Sequence, residues 1–156
     1  MTVTQPRLRL ELVPAPNWEW NLRSILPRKG WDEIRKAVYE RAGHACEVCG
    51  GKGRKWAVEA HEKWAYDDEA RVQKLTGVTA LCPPCHEVMH MGRALAIGRG
   101  EQAAKHLAKI NGWDEAQTTA HVEEAFRVWN ERSRVAWALD VSWLDTVARK
   151  DGGPRG

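Results

Sequence analysis

The chain has 156 residues, 43% apolar and 29% charged, which is enough for one domain with a modest core and too apolar for a disordered segment. Its net charge is +3, too small to demand an acidic partner by itself. The excess is uneven, since residues 1–60 hold 11 Lys and Arg against 7 Asp and Glu, while the remainder holds 13 against 14.

The first residues, "MTVTQPRLRLELV", alternate basic and apolar side chains and lack the continuous apolar stretch of a signal peptide. No apolar run reaches the length of a membrane span, so a soluble, cytoplasmic protein with no membrane partner is expected. Residues 1–30 read as an amino-terminal extension, with a strand at "RLRLELV" and Pro27 and Gly30 closing it. In "WDEIRKAVYERAG", Trp31, Ile34, Ala37 and Val38 fall on one face at helical spacing, and Gly43 marks the stop. A cysteine turn, "HACEVCGG", follows. "KWAVEAHEKWAYDD" alternates in the manner of a strand, "DDEARVQKL" reads as a loop or short helical turn, and "TGVTAL" reads as a second strand. Pro84 suits the first position of a helix carrying Cys85, His86 and His90. The remainder is expected to be helical. "GEQAAKHLAKING" stops at Asn111-Gly112, and a long helix through residue 139 starts with Asp114 and Gln117 in a capping-box pattern, with Val122, Ala125, Phe126 and Trp129 as its apolar face. Residues 151–156 form a frayed tail.

The basic excess centres on Arg28, Lys29, Lys52, Arg54 and Lys55, which suit a phosphate backbone or simply a solvated face. Nine tryptophans against one phenylalanine is unusual. Most are expected as packing anchors between elements, with base stacking by one or two of them as the lesser alternative.

Four cysteines occur as Cys46-x-x-Cys49 and Cys82-x-x-Cys85. Each C-x-x-C turn presents two thiolates to one side, so two such turns can close a tetrahedral structural Zn²⁺ site. A redox pair and four buried free thiols are the competing readings. A closed four-thiolate site has no open position and performs no chemistry; it pins the first turn to the start of the helix. His86 and His90, at i and i+4, lie on one helix face and can share a second metal. A polar helix surface, or one histidine entering a three-cysteine site, would explain them equally. A strand–loop–strand–helix order would set His61 across from that helix. A neutral imidazole there can take a proton from water near neutral pH.

C-x-x-C, then "AHE", then "LCPPCHEVMH" resembles the HNH endonucleases, the ββα-metal (His-Me finger) nucleases, in the version with two C-x-x-C pairs. The resemblance covers roughly residues 44–92. It implies an α+β protein: a small zinc-pinned ββα-metal core at 31–95, an amino-terminal helix, and two carboxy-terminal helices in 96–150. It implies a metal-dependent endonuclease that nicks or cuts DNA, double-stranded DNA foremost. His61 would be the general base. His86 and His90 would ligate one divalent metal, Mg²⁺, Mn²⁺, Ni²⁺ or Zn²⁺. Two positions depart from the family pattern. Ala60 stands where many relatives have a metal-binding Asp or His, and Gly77 where many have the middle Asn. Glu62, on the same strand face as Ala60, is the expected substitute ligand, with Glu59, Asp67, Asp68 and Gln73 as weaker candidates. The departures favour an alternative, a catalytically inactive zinc-stabilised nucleic-acid-binding module. A third possibility is an interaction protein working through its carboxy-terminal helices.

Overall fold

Pro27 turns the chain into its first long helix three residues earlier than expected. In the computed structural model, which describes residues 5–52 and 58–150, with side chains up to Val147, α1 spans Leu22–Ile25 and α2 spans Arg28–Arg41. Pro27 occupies the N-cap of α2, and its fixed φ leads directly into a helix that Arg28 and Lys29 favour. Trp31, Ile34 and Val38 are buried as their spacing requires, whereas Ala37 is exposed and the flank is closed instead by half-buried Tyr39. Gly43 and His44 both take positive φ (64° and 58°), which reverses the chain into the first cysteine turn.

The sheet has three strands in the order β1-β2-β3. β1 (Glu59–Asp67) and β2 (Val72–Leu81) pair antiparallel, with Glu59 opposite Leu81 and Asp67 opposite Val72. "DDEARVQKL" divides between a tight turn and the first half of β2. Arg71 adopts φ 56°, and Asp67 accepts a hydrogen bond from the Ala70 N–H. The register shifts between Lys63 and Trp64, leaving Thr76 as the extra residue of β2, with its hydroxyl donating to Lys63 O at 3.1 Å. α3 (Pro83–Met89) follows β2 without a loop, and α4 (Met91–Ala96) follows at a break centred on His90. α5 (Gly100–Asn111) stops at Gly112 with φ 65°, and α6 (Glu115–Arg132) carries the expected Asp114–Gln117 capping box.

Two expectations fail for tertiary reasons. "RLRLELV" does alternate, with Leu8 and Leu10 buried and Arg7 and Arg9 exposed, but it pairs with no strand. Its backbone is satisfied by side chains from the other end of the chain. Leu8 N–H donates to Asn111 Oδ1, Asn111 Nδ2 donates back to Leu8 O, and Leu10 N–H donates to His121 Nε2. The long helix also ends at Arg132 rather than near residue 139. Trp137 is buried edge-on against Tyr66 (5.6 Å between ring centres), and its indole N–H caps Arg132 O at 2.7 Å. Ala138–Asp140 then forms β3, parallel to Val72–Lys74, and a further helix, α7, covers Trp143–Lys150. The carboxy-terminal part therefore holds a strand and three helices beyond α4.

The molecule is thus α+β, with seven α-helices and a three-stranded sheet among the described residues. Leu8, Leu22, Leu75, Leu81 and Leu107 are completely buried at its centre, each contributing roughly 1.5–3 kcal/mol. None of its described helices is long and apolar enough to cross a membrane.

The cysteine turn is docked on β2 by one side chain. Glu47 accepts from Thr79 Oγ1 and Ala80 N–H (2.7 Å each) and from Arg41, while its own N–H donates to Ala80 O. Burial pushes the Glu47 carboxyl up, but these donors outweigh it and hold the group below the usual carboxylate range. Glu47→Ala is expected to cost about 2 kcal/mol through the loss of these bonds. Chemical denaturation of the metal-loaded protein measures it, and an unchanged midpoint would deny Glu47 this docking role.

Candidate metal centres

Two clusters form where β1, β2 and α3 meet. In the first, Cys46, Cys49, Cys82 and Cys85 bring their sulfurs within 4.8 Å of one another. Cys46 and Cys49 come from the turn after α2, Cys82 sits at the N-cap of α3, and Cys85 lies in its first turn. Cys49 Sγ and Cys82 Sγ are 3.6 Å apart, close to the edge of about 3.8 Å that Zn–S bonds of about 2.3 Å give a tetrahedron. The Cys49 N–H points at Cys46 Sγ (3.5 Å) and the Gly51 N–H at Cys49 Sγ (3.4 Å), a pattern that favours thiolates.

The protonation states argue the same way. A hydrogen bond from Cys85 holds the Cys46 thiol far below its usual value; that interaction, with burial, drives Cys85 upward, and burial raises Cys82. Four sulfurs packed this closely cannot all ionise unless a cation joins them. The donor set fits a structural metal such as zinc.

His106, on α5, completes this cluster and was not singled out from the sequence. Its Nε2 lies 3.2 Å from Cys85 Sγ. No local motif marks it, because the contact depends on α5 packing against α3. A ring N–H donated to a ligating sulfur stabilises the thiolate, so His106→Ala is expected to weaken zinc binding by about 10–100-fold. Competition with a chromogenic chelator measures this, and an unchanged affinity would reduce His106 to packing.

In the second cluster, His61, His86 and His90 bring one ring nitrogen each within 4.8 Å of the others. Ring centres are separated by 5.3 Å (His61–His86), 5.1 Å (His61–His90) and 4.7 Å (His86–His90). His86 Nε2 and His90 Nε2 face each other at 3.1 Å, close to the edge of about 3.3 Å expected for two imidazoles on one zinc-sized ion. Burial, followed by repulsion from His61, lowers His86; burial, followed by repulsion from His86, lowers His90. Both are kept neutral, as metal ligands must be. His86 is held from behind by Glu59, whose carboxylate lies 3.2 Å from Nδ1. His90 sits at the break between α3 and α4 rather than inside a continuous helix, yet its ring still reaches His86.

His61 is almost fully buried, and its Nε2 contacts the carboxylate of Glu11. The other Glu11 oxygen accepts from the Trp64 N–H at 3.3 Å, while the Glu11 N–H donates to Met89 O at 3.1 Å. Glu11 is thus fixed at three points and fixes His61 in turn. It lies 50 residues away in the sequence, inside the segment that read as a strand.

The other sequence-derived candidates fall differently. Glu62 faces the same cavity, but its carboxylate accepts from the Leu22 N–H and stands outside the convergent group. Burial raises its carboxyl. Asp68 pairs with Arg132, and Gln73 is fully buried beside Asn17. Arg28 lines a groove of about 550 Å³ that reaches His86, together with Arg23 and Arg35, neither of them anticipated. Lys29 and Lys52 are exposed, and Arg54 and Lys55 lie outside the described residues. Comparison with protein-family models, with curated proteins and with solved structures finds no match to this chain.

Proposed function

We propose that the protein is a metal-dependent endonuclease of HNH type that hydrolyses DNA phosphodiester bonds. One observation supports the proposal: an antiparallel strand pair and the following helix set His61 against His86 and His90 and gather four cysteines next to them. His86 and His90 would hold the catalytic metal, which supplies a positive charge for the phosphate oxygens and the departing oxyanion. His61 takes a proton from water, whose oxygen attacks phosphorus as the bond to the 3′ oxygen breaks. Products are a 5′-phosphate and a 3′-hydroxyl. Glu11 holds the His61 ring and stabilises the imidazolium that forms, so a carboxylate from the amino-terminal segment assists the base where the family's middle Asn is replaced by Gly77. Arg23, Arg28 and Arg35 beside His86 suit the flanking phosphates.

A second reading has a specific observation behind it. All three imidazoles converge, so His61 can serve as a third ligand rather than a base, and the chain would then be a catalytically silent nucleic-acid-binding module. Conversion of supercoiled plasmid to open-circle and linear forms separates the two. Cleavage by protein cleared of metal at the histidines under mild chelation that leaves the cysteine site loaded is expected to return with added Mg²⁺, Mn²⁺, Ni²⁺ or Zn²⁺. Absence of cleavage under every metal, with the cysteine-bound zinc retained, would overturn the nuclease proposal.

A further inference from the structure

Among the described residues Trp18 and Trp20 are the most exposed aromatic side chains, with 67% and 57% of their area open to solvent. Exposed indoles are costly to leave in water and are usually half-covered by the protein that bears them. Both line a cavity of about 680 Å³ whose apolar walls continue through Trp64, Phe126 and Trp129. That volume falls within the roughly 300–1,000 Å³ of small-molecule sites. The cavity is not separate from the histidines, because His90 and Glu11 belong to its lining as well.

We propose that this cavity receives an unpaired nucleobase adjoining the phosphate held at the histidine cluster, which makes the substrate single-stranded or locally unpaired nucleic acid. The proposal rests on the cluster being a phosphodiester site. Two features choose a base over other occupants. Indole faces stack on any base, and two of them stand uncovered at the mouth. The only acidic groups in the lining, Glu11 and Glu62, repel phosphate but can accept hydrogen bonds from the amino groups of a base. Arg23 and Arg28 share the second groove with His86, while Arg93 lines the aromatic cavity beside His90. A strand crossing the site therefore meets cationic groups for its phosphates in both places, with the indole faces beside the histidines. A base paired inside a duplex cannot present its faces to those indoles without leaving the stack.

Binding, rather than cleavage, tests this, so the outcome does not depend on catalysis. The zinc-loaded full chain is titrated with a short single-stranded oligonucleotide, a duplex of the same sequence, and a single strand with abasic sites throughout its centre. Fluorescence anisotropy and quenching of tryptophan emission are recorded together. The intact single strand is expected to bind about 10-fold or more tighter than either comparison strand and to quench the emission. The double variant Trp18→Ala/Trp20→Ala is expected to lose that preference, while keeping its zinc content and melting temperature. Trp18→Phe/Trp20→Phe, which keeps aromatic faces, should restore most of it. Equal affinity for all three ligands, or a preference unchanged by the alanine variant, overturns the proposal. So does concentration-dependent self-association that the alanine variant abolishes, since a second copy would then be the occupant. If neither plasmid nor single-stranded DNA is cleaved but the base preference holds, the nuclease proposal falls and the base site stands.

Discussion

Stripping the metal from the four-cysteine cluster is expected to unfold the protein rather than loosen one turn. The cluster ties the end of α2 to the start of α3, and α3 carries both Cys85 and His86 on adjacent positions. Binding of a structural zinc of this kind supplies on the order of 10 kcal/mol. A domain of this size is stabilised by only about 5–15 kcal/mol in total. Losing the metal therefore removes most of the margin, and it also leaves mutually repelling sulfurs in a buried site. Cys85→Ser should do the same through one ligand, because Cys85 is completely buried and touches both Cys46 and His106. Far-ultraviolet circular dichroism during titration with a strong chelator is the measurement, with zinc content followed in parallel. A chelated protein, or a Cys85→Ser variant, that keeps a cooperative melt near that of the intact protein would remove the cluster from the folding account.

His61→Ala is expected to lower plasmid nicking by about 10²–10⁴-fold, the usual contribution of a positioned base. The same variant should retain both bound metals and an unchanged melting profile. That combination matters, because loss of activity alone does not tell a base from a ligand. If His61 is instead the third ligand, the variant will lose one metal equivalent while its thiolate-bound zinc remains. Glu11→Gln sharpens the comparison. It keeps the size and the hydrogen-bond acceptor next to His61 Nε2 but removes the charge that stabilises an imidazolium. A fall in kcat of about 10-fold or more, with KM and metal content unchanged, fits a dyad acting on water. An unaltered kcat would leave Glu11 as packing only.

Most of what carries chemistry was legible because it is local. The C-x-x-C turns and the capping box of α6 each express their geometry within a few residues and form as expected, whereas His90 falls at the end of α3 instead of inside it and still reaches His86. The missing pieces act across long separations. Glu11 reaches His61 over 50 positions and His106 reaches Cys85 over 21, with no spacing rule to announce either. "RLRLELV" has the alternation of a strand because Leu8 and Leu10 are buried, yet alternation does not reveal whether a backbone partner exists. Trp137 ended a helix whose propensity ran on, through burial against Tyr66 rather than through any breaker residue. Glu62 was a reasonable substitute ligand by strand parity, but the free N–H groups at the start of α1 claimed its carboxylate.

The bonds between Leu8 and Asn111 join positions 103 residues apart, and the one between Leu10 and His121 spans 111. During synthesis His61, His86 and His90 leave the ribosome well before Asn111 and His121 exist to seat the segment that carries Glu11. Contacts of such long range form late because their loops must close first. The histidine centre is therefore completed only once residues 111 and 121 are made. A nascent or truncated chain would carry the zinc turn and the three imidazoles but not the carboxylate that steadies His61. For a protein proposed to cut DNA, a base that is steadied only after residue 121 exists keeps shorter nascent chains less active.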